Sequence, residues 1–145
     1  MILNKILSVI KEAKNVAILP HISADGDGYG SSLALAIALK KLNKDATVYL
    51  EEDVPSVYSF LPGKDMVKMY DGEQVKHDVV VALDSGDMDR LGERVGIFNN
   101  ANITVNIDHH VTNTEYAALN YVHTGSSAVG EIVYQMIKSL GLRID

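Results

Sequence analysis

The sequence predicts an α/β fold: a doubly wound, mostly parallel sheet with helices on both faces. Three observations carry this. Short apolar runs, such as Asp78-Val79-Val80-Val81-Ala82-Leu83, alternate with segments of helical periodicity. The runs are apolar throughout rather than at every second residue, which suits strands covered on both sides. Strand–helix alternation favours parallel pairing through right-handed crossovers.

The elements follow in order. Ile2, Ile6, Val9, Ile10 and Ala13 recur at three- and four-residue steps, which predicts an amphipathic helix. Val16 to Pro20 is a buried strand. A glycine-rich acidic turn runs from His21 to Gly30, and a helix rich in alanine and leucine spans Ser31 to Leu42. Ala46 to Leu50 is the next strand. Pro55, Pro62, Gly63 and Gly72 break up residues 51–77, leaving a helical turn over Val54 to Phe60 and a short strand over Met66 to Tyr70. Asp78 to Leu83 is a strong buried strand, Arg90 to Asn99 a short helix, and Ile103 to Ile107 another strand. Val129, Ile132, Val133, Met136, Ile137 and Leu140 place a last helix over Ser126 to Leu140.

Composition bounds the function. A chain of 145 residues, 47% hydrophobic and 22% charged, suits one domain with a self-sufficient core. The absence of cysteine excludes disulfide frameworks, thiolate zinc sites and cysteine nucleophiles. Thirteen Lys and Arg against 19 Asp and Glu give a net charge of −6, which argues against a broad basic nucleic-acid footprint. An anionic ligand would need a local positive centre, which a bound cation supplies. Lys5, Lys11, Glu12 and Lys14 interrupt the apolar start, so the N-terminus is not expected to be a signal peptide. No stretch approaches a membrane span, and the cytoplasm is the expected compartment.

The polar residues converge. One strand runs into His21, Asp25 and Asp27, another into Asp84, and a third into Asp108-His109-His110. In open α/β sheets ligands bind outside the carboxyl ends of the strands, so these residues fall at one rim. Crowded carboxylates raise one another's pKa, and divalent cations remove the penalty. Oxygen and imidazole donors without sulfur suit Mn²⁺, Mg²⁺, Fe²⁺, Co²⁺ or Zn²⁺. Asp25-Gly26-Asp27-Gly28-Tyr29-Gly30 has the look of a calcium loop, but the glutamate required at its twelfth position is Ala36. Its glycines would let backbone approach a metal or a phosphate.

Four stretches resemble the DHH phosphoesterase superfamily, which is RecJ-like, and within it the branch of oligoribonucleases and 3′-phosphoadenosine-5′-phosphate phosphatases. They are His21 to Ser31, Asp84 to Gly92, Asn106 to His110 with Asn113, and Asn120 to His123 through Gly130-Glu131. Ala24 stands where proline is frequent, and His123 where aspartate is usual. The resemblance implies a two-metal site, usually Mn²⁺, with Mg²⁺ or Co²⁺ as substitutes. His21, Asp25 and Asp84 would hold one ion; Asp27, Asp84 and His109 would hold the other, with Asp84 bridging. Asp108 would ligate directly or orient His109. His110 would contact the substrate phosphate, with Ser31 and Arg90 as further phosphate contacts. Asp84, His109 and His110 would then be the catalytic residues. Two ions about 3.5–4 Å apart stabilise both attacking and leaving oxygens. The family's fourth motif, a later aspartate, and its substrate-binding second domain would lie beyond Asp145. Residues 1–145 are therefore expected to be a truncated DHH domain, with the second ion weakly held or absent.

Plainer readings stand beside these. His77 and His123 suit packed or surface positions, Asp87 and Asp89 a helix N-terminus, Arg90 a structural contact, and Asn113 and Asn120 turns. Adjacent His109 and His110 would point opposite ways on an extended chain, so that only one meets the metal. The leading expectation is a metal-dependent phosphoesterase acting on short oligonucleotides or nucleotides. Pyrophosphatase, exopolyphosphatase and cyclic-dinucleotide activities stay open, as does a homodimer. A second class is a metal- and phosphate-binding module without turnover. A third, a phospho-acceptor receiver domain, would need no rim histidines.

Overall fold

The computed structural model describes residues 2–143. The expectation that the chain stops mid-domain turns partly on residues 144 and 145, which lie outside the described residues. The elements are α1 (Ile2–Glu12), β1 (Asn15–Pro20), α2 (Gly26–Lys41), β2 (Asp45–Leu50), β3 (Val67–Met69), β4 (Val79–Leu83), α3 (Val95–Asn99), β5 (Ile103–Asp108), β6 (Leu119–Val122) and α4 (Val129–Ser139). Short 3-10 turns cover Ser56–Tyr58, Lys64–Met66 and Met88–Arg94. The six strands form one sheet in the order β3-β2-β1-β4-β5-β6, with every pair parallel. The chain winds outward from β1 to β3, then returns to place β4 on the other side of β1. The topological switch therefore lies between β1 and β4.

Strand alternation divides the core. Val16, Ile18, Val48, Val79, Val81, Val105 and Ile107 face α1, α2 and α4. Ala17, Leu19, Val80 and Ala82 face the other way, against Leu91, Ile97 and Phe98. Both faces are covered, as expected, but among the described residues α3 is the only α-helix of the second. Among the described residues no helix is long and apolar enough to cross a membrane.

Three local expectations are corrected. α2 starts at Gly26, not Ser31, because Asp25 caps it, accepting from the Gly28 N–H at 2.9 Å. That cap offsets the intrinsic cost of glycine in a first turn. The helix expected over 90–99 is split: Met88–Arg94 is a 3-10 segment and only Val95–Asn99 is α-helical. Gly92 makes the break at φ 60°, and a Cβ there would lie 2.6 Å from the Glu51 carboxylate. Finally, Leu119–Val122 is an edge strand that the sequence reading left out, so Asn120 sits in a strand rather than a turn.

Candidate metal and phosphate site

The carboxyl ends of β1, β4 and β5, three neighbours in the sheet, deliver His21, Asp84 and Asp108. Asp25 and Asp27 join them from the start of α2. They meet at an open cavity of about 510 Å³, whose wall includes His21, Asp25, Asp84, Arg90, His109 and His110.

Asp84 is the centre. It is 4% exposed and takes a left-handed backbone, φ 60°, which is uncommon for a non-glycine residue and marks a functional constraint. The two carboxylate oxygens face different histidines. Oδ2 lies 3.7 Å from His21 Nε2, and Oδ1 lies 3.2 Å from His109 Nε2. Oδ1 is buried and accepts no hydrogen bond, since His109 approaches it outside hydrogen-bonding geometry. Burial pushes the Asp84 carboxyl up to about 6; Asp27 and Asp25 push the same way, while His21 and His110 pull it back.

These features fit a cation. A buried carboxylate oxygen without a partner is costly, and a metal ion would satisfy it. Two donor sets have all their ligand atoms within 4.8 Å of one another: Asp84, Asp108, His109 and His110, and His21, Asp25 and Asp84. Asp84 belongs to both. All the donors are oxygen or imidazole nitrogen, as hard or borderline divalent ions require.

The neighbours are held by their surroundings. His109 Nδ1 lies 3.2 Å from the Ser126 carbonyl, which keeps its Nε2 toward Asp84 and 3.9 Å from Asp27 Oδ2. His110 Nδ1 donates to Asp108 Oδ1 at 2.6 Å, so Asp108 orients His110 rather than His109. Both rings reach the rim, with centroids 4.5 Å apart, because β5 ends at Asp108 and the chain is no longer extended. The expectation of opposed rings does not hold. His21 Nδ1 lies 2.5 Å from the Ile22 carbonyl and 3.1 Å from Arg90 Nη2. Asp87 caps the 88–94 segment through the Arg90 N–H, as its position suggested.

Asp27 lines the cavity and also holds structure together, with Ser31 behind it. Asp27 Oδ2 accepts from the Val129 N–H and Oδ1 from the Gly130 N–H, both at 2.9 Å. Asp27 thereby caps α4, whose own N-cap residue, Ala128, supplies no side-chain bond. Ser31 is buried and donates to Asp27 Oδ1 at 3.3 Å, so its hydroxyl supports Asp27 instead of opening onto the cavity. Asp27→Ala, made in an Asp84→Asn background to remove their mutual repulsion, is expected to cost about 1–2 kcal/mol in metal-free protein. The denaturant midpoint measures it; an unchanged midpoint would show the cap to be idle.

Two residues of the motif carry contacts that their types alone do not reveal. Asn106 is fully buried in β5, and Asn113 Nδ2 donates to both Asn106 Oδ1 at 2.7 Å and Asp108 Oδ2 at 2.8 Å. The signal for Asn106 was available, since an amide inside an apolar strand needs partners. Away from the rim, His77 is buried against Tyr49, with Nε2 3.3 Å from the hydroxyl. His123 stacks on Tyr121 and contacts Ser126 Oγ.

The profile of the family described as "DHH family, N-terminal domain" matches residues 15–144. The bifunctional oligoribonuclease and PAP phosphatase NrnA of Thermus thermophilus is 35% identical over 127 residues, 88% of this chain and 37% of its own. The protein of the same name from Bacillus subtilis is 26% identical over 116 residues, 80% of this chain and 36% of its own. The crystal structure of an exopolyphosphatase-related protein from Bacteroides fragilis superposes with a TM-score of 0.88 at 25% identity, over 97% of this chain and 44% of that one. The chain thus spans less than half the length of these relatives. The matched span covers His21 through His110 and the whole of the sheet that carries them, and on that ground the chain belongs to the DHH family, as its N-terminal domain.

Proposed function

We propose that the protein hydrolyses phosphoester bonds of short oligonucleotides or nucleotides with the help of two divalent cations, Mn²⁺ by preference and Mg²⁺ or Co²⁺ as substitutes. The observation that carries this reading is Asp84: a buried carboxylate with an unpartnered oxygen, with His21 beside Oδ2 and His109 and His110 beside Oδ1. That arrangement suits a bridge. His21, Asp25 and Asp84 would hold one ion, and Asp27, Asp84 and His109 the other, with Asp108 acting through His110. When bound, such ions lower the pKa of water and offset charge on the phosphoryl oxygens. The names of the relatives, and membership of the family, support a nucleotide substrate.

The chain's own residues supply the rest. Asp108 accepts the Nδ1–H of His110 and leaves its Nε2 toward the cavity, where the doubly protonated ring would donate to a phosphoryl oxygen. His21 Nδ1 cannot both donate to the Ile22 carbonyl and accept from Arg90 Nη2. Whenever Nδ1 carries the proton, Nε2 is free as a donor atom and the Arg90 guanidinium is released to meet phosphate.

The test is turnover of a dinucleotide, of 3′-phosphoadenosine-5′-phosphate and of polyphosphate, with and without Mn²⁺. Mn²⁺-dependent release from the first two is expected, with loss on chelation and recovery on adding the ion back. Turnover of polyphosphate alone would move the substrate class. Binding of Mn²⁺ and phosphate with no turnover would leave the binding-module reading in its place.

A further inference from the structure

The motif residue without a role in this scheme is Asn113, and its contacts are unusually definite. Its two side-chain protons go to Asn106 Oδ1 at 2.7 Å and Asp108 Oδ2 at 2.8 Å, while its own Oδ1 accepts the Glu115 N–H at 2.6 Å. A flipped amide would set an oxygen against two acceptors and a donor against a donor, so only one orientation works. Asn106 is locked in turn. Its Nδ2 lies 3.1 Å from the Ala82 carbonyl, 3.2 Å from the Ser85 carbonyl and 3.2 Å from the Tyr116 hydroxyl. The Tyr116 hydroxyl donates to the Ser85 carbonyl at 3.0 Å, and burial pushes its pKa up, keeping it a donor. The Thr114 N–H donates to the Gly86 carbonyl at 2.9 Å. Residues 113–116 therefore tie the loop after β5 to the loop that carries Asp84.

Asp108 is the focus of this network. It is fully buried, and each oxygen has one partner: Asn113 on Oδ2 and His110 Nδ1 on Oδ1. With the carboxyl held at Oδ2 by Asn113, the place of Oδ1 is set, and the His110 ring follows it. The geometry points to Asn113 as a positioning residue that sets the orientation of His110 through Asp108. This rests on the proposed phosphoester hydrolysis for its purpose, though not for its geometry. Asp108 is then a relay between Asn113 and His110.

The test reads the His110 Nδ1–H directly. In the wild-type chain a far-downfield proton resonance, slow to exchange, is expected, assigned by its loss in His110→Gln and Asp108→Asn. The Asn113 side-chain amide protons should be resolved and protected in the same spectra. In Asn113→Ala, with a native amide fingerprint, the imidazole resonance should broaden or disappear. Turnover should fall about 10–100-fold in kcat with little change in KM, the range for partners that orient a functional histidine. An unchanged imidazole resonance in a folded Asn113→Ala overturns the positioning role, even if activity falls. If that variant does not fold, absence of the protected Asn113 amide protons in wild type overturns it, and their presence supports it. If the imidazole responds but wild-type protein hydrolyses no phosphoester, the hydrolase reading fails while the positioning stands.

Discussion

Asp84→Asn is expected to cut phosphoester hydrolysis by roughly a hundred- to a thousandfold and, at the same time, to make the metal-free protein more stable at neutral pH. The first half follows from the bridging role proposed for it. The second follows from the carboxyl's own cost. Its ordinary value of 3.8 rises to about 6 in the folded chain, mainly through burial, with Asp27 and Asp25 adding to it. Well below pH 3.8 the group is protonated in both states and costs nothing. As pH rises, the unfolded chain releases its proton first, and stability is lost until the folded carboxyl has ionised above about pH 6. The full loss is roughly 3 kcal/mol. Asparagine never ionises, so the variant escapes it. Denaturant titrations at pH 7.5 and pH 4 check this. The variant should exceed wild type by a few kcal/mol at the higher pH and approach it at the lower. Mn²⁺ should raise the wild-type midpoint and leave the variant nearly unmoved, because only a state that binds the ion gains from it. A variant less stable than wild type at both pH values would mean that Asp84 is held by partners other than a cation.

The convergence of His21, Asp25, Asp84 and Asp108 was legible because carboxyl ends of adjacent parallel strands share one rim, whatever the details of packing. The central strands were legible because β1, β4 and β5 are apolar runs bounded by polar residues. β6 was not. It has four residues, all half-buried, with Asn120 in the middle, and its place is set by pairing with β5 and not by its own pattern. The start of α2 was misplaced because three glycines outweigh helix propensity locally, while the Asp25 cap that favours the helix depends on where its side chain turns.

Roles within the site were less legible than membership. Asp27 is an obvious candidate ligand by type, yet its two strongest contacts are with backbone more than 100 residues later, at separations of 102 and 103. His109 and His110 depend on where β5 ends, and a shift of one residue there decides whether both rings reach the cavity. Asn113 reads as a turn residue and is one, through the Glu115 N–H, but its amide protons act across the strand ends. Side chains that serve a local and a distant purpose together show only the local one in sequence.

Arg94→Met should be among the most damaging substitutions outside the rim. Arg94 is 1% exposed, an uncommon place for a guanidinium. Its Nε donates to Glu51 Oε1 at 3.0 Å and its Nη1 to the Tyr49 carbonyl at 2.8 Å. Burial pulls its pKa down, and the Glu51 carboxylate opposes that. Removing the cation would leave Glu51 and the Tyr49 carbonyl without their charged partner, at a cost of about 3–5 kcal/mol. That is a large part of the total for a domain of this size. Adding Glu51→Gln should recover part of it, since the uncompensated charge is gone and the amide carbonyl can still accept the Arg94 N–H that now reaches Glu51 Oε1. The loss should also travel to the site. Glu93 and Arg94 tie the 88–94 segment to Tyr49 and Glu51 at the end of β2, and within that segment the Arg90 carbonyl accepts the Ile22 N–H at 2.7 Å, beside His21. Loosening it lets the His21 ring drift from Asp84. Mn²⁺ affinity of a folded Arg94→Met, measured by calorimetry, should therefore fall along with stability. A variant that unfolds more easily but binds the ion as tightly as wild type would confine Arg94 to the core and disconnect it from the rim.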